Sequence, residues 1–393
     1  MKIIALFLWI STAFNENFYG FPFSYLSLIV LLFSFQKKAE INNLFLFKFN
    51  INKSIAIFFL FLVLYYLASI FLGDYPANTL NYLFGILASI LCVSLLNNIK
   101  QKEPNLITLS NTLIYFTYVG FCLSLISLLL FGGPRANTFS SSLNYNLLFL
   151  HNDPNLASFI SIFLIYLFNS ANKKFAAVFV SIISFLSGSR TFIIMLLVYY
   201  IIFTFLKVRS NLIKLTLPKK YIFIFLFCFL VFSQFSITTS RGNLQYMFSN
   251  TKLYVQGLIN RDISILKTDL ERYRLLNSNL SLLKERKGVP IPAGLKNYQS
   301  NLLPHAKAYN VRPAKAHNFY ISYGAEYGYL FLYLLFIIIL NLRFTILYRD
   351  KNLLASQLAI LVGFFGNEFF ISPFVFILLF SKPAEVGLNK RIT

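Results

Sequence analysis

Apolar runs long enough to cross a lipid bilayer recur along the whole of this 393-residue chain. Nothing else in the sequence limits the fold so severely. About 18 to 20 consecutive apolar residues span the hydrocarbon core as a helix. In lipid, only helices and closed barrels satisfy every backbone N–H and C=O. The runs are continuous rather than alternating, which speaks against a barrel. Composition agrees, with 57% hydrophobic and 12% charged residues, where soluble domains carry roughly a quarter charged. The expected fold is an all-α polytopic membrane protein.

Twelve candidate spans are placed at 3–14, 18–35, 54–72, 79–97, 109–131, 154–170, 175–187, 191–206, 221–239, 319–342, 353–366 and 369–381. The first lacks a small-x-small cleavage site and is read as a helix rather than a signal peptide. Three cysteines, Cys92, Cys122 and Cys228, each lie alone in an apolar run, without metal or redox spacing. The net charge of +22 is not read as a nucleic-acid signal, because the basic residues sit mainly between the apolar runs. Short loops and tails on one side carry 20 of the 35 Lys and Arg, from Lys2 and Lys37 to Lys390 and Arg391. By the positive-inside rule that side is cytoplasmic, and both termini lie there.

The exception is one long polar segment, 241–318, between an N-terminal bundle of about nine spans (1–240) and the C-terminal helices and tail (319–393). Between Arg241 and Ala316 it holds 13 basic residues and four acids, Asp262, Asp269, Glu271 and Glu285, on the side expected to be periplasmic. Long loops translocate largely regardless of charge, so this charge calls for a reason other than orientation. Ile263, Leu266, Leu270, Tyr273, Leu276, Leu280 and Leu283 recur at three-or-four spacing, which predicts an amphipathic helix lying over the membrane. Gly288, Pro290, Pro292 and Gly294 then end it.

Four short patterns fall on the expected outer face. In His151-Asn152-Asp153-Pro154-Asn155, Asp153 can be a helix N-cap with Pro154 at the first helical position. That leaves Asn155 and His151 as candidate pocket residues. Ser187-Gly188-Ser189-Arg190 is a tight turn whose Arg190 either snorkels or holds an anion near the membrane. The loop helix region offers Arg261, Arg272 and Arg274. A solvated face accounts for most of such a run, yet a guanidinium fork also grips phosphate oxygens in a bidentate way. Finally, His317-Asn318 stands at the entrance of the next apolar run, nine residues before Glu326. A histidine there can be a simple interfacial residue or a base near neutral pH. An acid inside a span is by default functional or orienting.

The DPN box, the SGSR turn and a large loop ending in HNFYISYGAEYG, in this order on one face, resemble the O-antigen ligase/polymerase family of bacterial envelope glycan assembly. The resemblance covers about 150 to 390. It departs from the family where Leu276 stands four residues after Arg272 in place of tryptophan, and where Gly288 to Gly294 with two prolines replaces Gly-x-Gly.

The resemblance implies a GT-C-like bundle in the bacterial inner membrane, working without a metal or other cofactor. Its substrates would be undecaprenyl-diphosphate-linked glycans, as donor and as acceptor. Its other partners would be the bilayer and, more weakly implied, a chain-length regulator. His317 would be the catalytic base. Arg190 and a loop arginine, Arg272 or Arg274 with Arg261 as a further candidate, would hold the diphosphate. Asp153, Asn155, Asn318 and Glu326 would support them. A polymerase that extends repeat units is preferred over a ligase that transfers the chain to lipid A–core. A flippase is ranked lower, because transporters gather polar groups at mid-membrane and these spans are nearly charge-free. A non-enzymatic envelope protein with a glycan-binding loop is the blandest alternative.

Overall fold

The structure, a computed structural model, describes residues 53–72, 103–131, 154–186, 190–210, 267–286, 295–316, 318–348, 350–365 and 373–381, with isolated positions elsewhere. It is all-α apart from two minimal hairpins. These pair β1 (Asn17–Phe18) with β2 (Phe21–Pro22), and β3 (Thr238–Thr239) with β4 (Gly242–Asn243).

The helices of the first half are α1 (Lys53–Leu72), α2 (Glu103–Phe131), α3 (Pro154–Ser170), α4 (Lys174–Leu186) and α5 (Arg190–Ser210). Within the polar segment lie α6 (Lys267–Arg286) and α7 (Leu295–Ala308). They are followed by α8 (Phe319–Tyr327), α9 (Tyr329–Leu347), α10 (Lys351–Gly363) and α11 (Pro373–Phe380).

Local chemistry explains the boundaries. Pro154 opens α3, where its missing N–H would have had no intrahelical partner. The chain leaves α3 through Asn172 at φ 58°, with Lys173 N–H bonded to Phe168 O and Asn172 N–H to Asn169 O. This is a Schellman cap with asparagine in the left-handed position. Asn310, at φ 54°, ends α7 the same way. Asp350 caps α10 by accepting from Leu353 N at 3.0 Å.

The core centres on α10, which packs against α5, α3, α9 and α11. Ala355, Ala359 and Gly363 recur every fourth residue on it, a small-residue stripe that lets neighbouring backbones approach closely. A Cβ at Gly363 would run into Met195 Sδ of α5 and would stand 3.3 Å from Phe159 Cε1 of α3. All of α3 from 158 to 168 is buried. At the far end from Pro154, Tyr199 donates to Asn352, and Asn352 donates to Tyr166 O and Ser170 Oγ, tying α3, α5 and α10 together.

Outward faces are apolar too. Leu60, Phe61 and Leu64 on α1, Ile194, Leu197, Ile201 and Phe205 on α5, and Leu332, Phe336 and Ile339 on α9 are all exposed. Among the described residues, one helix, Leu330–Leu347, is long and apolar enough to cross a membrane, with mean hydropathy 2.4 over 18 residues.

Several expected spans are corrected. The span at 154–170 coincides with α3, and 175–187 and 191–206 match α4 and α5 within a few residues. The span at 18–35 cannot begin as a helix, because Phe18 and Phe21–Pro22 are extended and paired. The span at 221–239 likewise ends in strand at Thr238–Thr239. The span at 319–342 is two helices. Gly328, at φ 54° and ψ −122°, sends its N–H back to Gly324 O and breaks the run before α9. The span at 3–14 lies outside the described residues.

Candidate functional site

The long polar segment does not re-enter the apolar bundle as a free tether. Helices α6 and α7 pack on each other, and both pack on α8. Leu282 of α6, Tyr298 and Leu302 of α7 and Ala325 of α8 form a small apolar cluster with Leu283 against it. Leu283 also reaches the open side of Gly324, where an added Cβ would meet its Cδ1 at an ordinary 3.8 Å. Helices on both sides of position 318 therefore pack together.

Toward α7 and α8, α6 turns a face other than its leucine row. Tyr273 is exposed, and Leu276, Leu280 and Leu283 are only half-buried. The fully buried row is Leu275, Ser278, Asn279 and Leu282, half of it polar. Asn279 accepts from Tyr298 Oη of α7. It donates to Leu275 O at 2.8 Å and to Ala314 O at 3.1 Å, fixing the chain just before the re-entry. A buried polar group costs little once its bonds are made, so a row that reads as polar in sequence can face inward.

From Ala314 onward the re-entry is pinned step by step. Lys315 Nζ stands 2.9 Å from Glu326 Oε2 and 4.5 Å from the centroid of the Tyr323 ring. The Glu326 side chain is fully buried and that of Lys315 is 18% exposed. The contact is an ion pair rather than an aligned hydrogen bond, and neither carboxylate oxygen has a hydrogen-bond partner among the described residues. Ala316 N donates to Ser322 Oγ at 2.9 Å. Asn318 caps α8 by accepting from Ile321 N at 3.1 Å, and its Nδ2 donates to Phe365 O at 3.2 Å. Phe319 N donates to Phe364 O at 3.0 Å, and the two rings stack at 4.2 Å.

Phe364 carries the re-entry to the start of α3, since its ring lies 5.7 Å from that of Phe159. Next to it, Gly363 abuts both Phe159 and Met195. Phe159 and Met195 each lie five residues inside their helices, about 7.5 Å along the axis from Pro154 and Arg190. The first turns of α3 and α5, the end of α10 and the re-entry at 318 thus share one end of the bundle.

The residues singled out from the sequence fare unevenly. Asn318 and Glu326 are side chains of the re-entry: the first is a helix cap, the second the partner of Lys315. Arg190 is the first residue of α5, Asn155 lies in the first turn of α3, and Arg272 lies in α6. Arg274 is half-buried on α6. Asp153, Arg261 and His317 lie outside the described residues.

Lys315, Tyr323, Asn279 and Tyr298 were missed. For Lys315 a signal existed. An acid such as Glu326 in an apolar helix needs a cation, and Lys315 is the basic residue nearest the helix on the loop side. Compared with known proteins, the chain matches no family model, no curated protein and no solved structure.

Proposed function

We propose that the chain is a multi-pass enzyme of the bacterial inner membrane. It has about twelve spans, both termini cytoplasmic, and the 241–318 segment on the periplasmic side. Its activity is polymerisation of undecaprenyl-diphosphate-linked oligosaccharide repeats. Exposed apolar faces on α1, α5 and α9 favour a lipid surround, since soluble monomers rarely expose contiguous apolar patches beyond a few hundred Å².

The observation that carries the catalytic reading is the gathering around Gly363 and Phe364. There the starts of α3 and α5 meet the re-entry of the loop. A site at that junction would join the DPN box, the SGSR turn and the loop terminus, three patterns far apart in sequence.

The donor is already activated, because its sugar is linked to a diphosphate leaving group. His317 takes the proton of the acceptor hydroxyl as that oxygen forms a bond to the donor's anomeric carbon. The bond from that carbon to the phosphate oxygen breaks, and its electron pair leaves with the lipid diphosphate. Arg190 and an arginine of the loop helix, Arg272 or Arg274, hold the departing anion. General-base assistance contributes about 10²–10⁴-fold, so His317→Ala should lose turnover by that order while the protein remains in the membrane.

Deletion of the gene tests the reaction class. Single-repeat glycan on the cell surface supports polymerisation. Finished polymer stranded on the lipid carrier indicates transfer to lipid A–core instead. Full turnover by His317→Ala would remove the base from the mechanism.

A further inference from the structure

The end of the bundle opposite the loop gathers charge of its own. Asn352, in the first turn of α10, donates to Ser170 Oγ at 2.6 Å and to Tyr166 O at 2.8 Å. These bonds set the start of α10 beside the end of α3. The chain then turns back through Asn172, and Lys173 N–H is bonded to Phe168 O at 2.7 Å. On the other flank Asp350 N–H donates to Thr345 O at 3.3 Å, which folds the end of α9 onto the start of α10. Lys173, Lys174 and Lys351 thus come to one end of the bundle from two stretches far apart in sequence. Lys174 is exposed, and Lys173 and Lys351 are half-buried.

Two features set this group apart from a solvated charged face. The first is its charge balance. Neither α4 nor α10 has an acid in its first turn, and the acid next to Lys351 is already in use. That acid, Asp350, accepts from Leu353 N–H at 3.0 Å as the cap of α10. The second is Phe175, which directly follows the two lysines. At 78% it is the most exposed large apolar side chain among the described residues. Ile346 and Leu347 at the end of α9 are exposed as well. Ammonium groups level with exposed apolar side chains match the boundary of a bilayer, where headgroup phosphates meet acyl chains. A free anion in water gives the Phe175 ring nothing to contact.

We propose that the α3–α4 turn and the start of α10 bind the headgroup of an anionic phospholipid of the cytoplasmic leaflet. Lys173, Lys174 and Lys351 surround its phosphate, and Phe175 lies among its acyl chains. The proposal rests on the membrane reading above and is independent of the reaction. A zwitterionic headgroup brings its own cation to the phosphate, so the site prefers phosphatidylglycerol to phosphatidylcholine. Each lysine near an anionic lipid surface contributes about fivefold in affinity.

The full-length protein is purified in neutral detergent and titrated with either lipid, and bound lipid is counted by native mass spectrometry. The wild type should retain phosphatidylglycerol and not phosphatidylcholine. The triple variant Lys173→Gln, Lys174→Gln, Lys351→Gln should weaken retention by about 100-fold, and Phe175→Ser should weaken it less. Lys284→Gln with Lys307→Gln removes exposed charge from α6 and α7 instead and should leave retention unchanged.

Equal retention of the two lipids by the wild type overturns the proposal. So does an equal loss in the triple variant and in the α6–α7 pair, since bulk charge would then suffice. Competition by glycerol phosphate, with no effect of Phe175→Ser, overturns the lipid in favour of a free anion. Should the triple variant fail to accumulate, Lys174→Gln alone, at an exposed position, should still lose about fivefold, and no loss there overturns the proposal. A chain that stays monodisperse without detergent removes the membrane reading itself. A detergent-dependent chain without lipid preference removes only this site.

Discussion

Two seams hold this molecule together, and they are built on opposite principles. At the seam of α10 with α3 and α5, small residues bring backbones close, and Phe159, Met195 and Phe364 fill the remaining space. At the seam of α6 and α7 with α8, half of the buried row of α6 is polar, and Asn279, Tyr298, Lys315 and Glu326 meet through hydrogen bonds and an ion pair. The first seam depends on shape and the second on matching donors to acceptors. The first positions the ends of α3 and α5, and an atom added at Gly363 forces the Met195 side chain to shift. The second positions the loop and tolerates small changes of shape, provided that each buried polar group keeps a partner.

The contrast can be broken most sharply at Gly363. Gly363→Val inserts branched carbon where one Cβ already collides with Met195 Sδ. A loss of about 1–3 kcal/mol is expected from overpacking, since the Met195 side chain must move aside. It should be read as a fall in accumulated protein and in thermal stability. A normal transition in that variant would show that the α10 seam is loose.

The second seam breaks by subtraction rather than addition. Asn279→Ala leaves the Tyr298 hydroxyl and Ala314 O without the partner they have now, at an expected cost of about 1–3 kcal/mol. Asn279→Asp should recover the Tyr298 contact and not the one to Ala314. Increased proteolysis near 314 in Asn279→Ala, with the apolar bundle intact, is the expected signature.

The smallest effect belongs to the rim. His305 Nε2 and Glu285 Oε2 are 2.6 Å apart between α7 and α6, with Glu285 68% exposed. Exposed pairs are worth about 0–1 kcal/mol and weaken with salt. Glu285→Gln should therefore shift the thermal transition by little, and by less still at high ionic strength. A large shift would mean that the rim supports the loop pair as much as its buried polar row does.

Of the first seam, the helix starts were legible in the sequence, and the small-residue stripe of α10 was not. The apolar run beginning at Pro154, and the Ser-Gly-Ser sequence before Arg190, point to helix starts that match those of α3 and α5. The second seam was not legible. Periodicity gathers the leucines of α6 on one face, whereas Asn279 is buried on another because Tyr298 and Ala314 O are there to bond with it. Those partners are distant in sequence and no spacing rule points to them. Helix α7 was missed because its polar residues and internal Pro304 read as loop. The division at Gly328 was missed because an apolar stretch with one glycine reads as a single span, while the backbone there adopts φ 54°. Of the candidate site, the helix starts and the re-entry were found from local motifs. Lys315 was not, because its partner Glu326 lies eleven residues further along the chain.

The two glycines in these seams carry different freedoms, and that difference is a forecast about descent. At Gly324 a methyl group would meet Phe331 and Leu283 at 3.6 to 3.8 Å, ordinary contact distances. At Gly363 it would displace Met195. In chains descended from the same ancestor, alanine should have been free to arise at position 324. Position 363 should have stayed glycine unless the residue facing it from position 195 shrank in the same lineage. One helix mouth has therefore been open to gradual change, while the other could change only in paired steps.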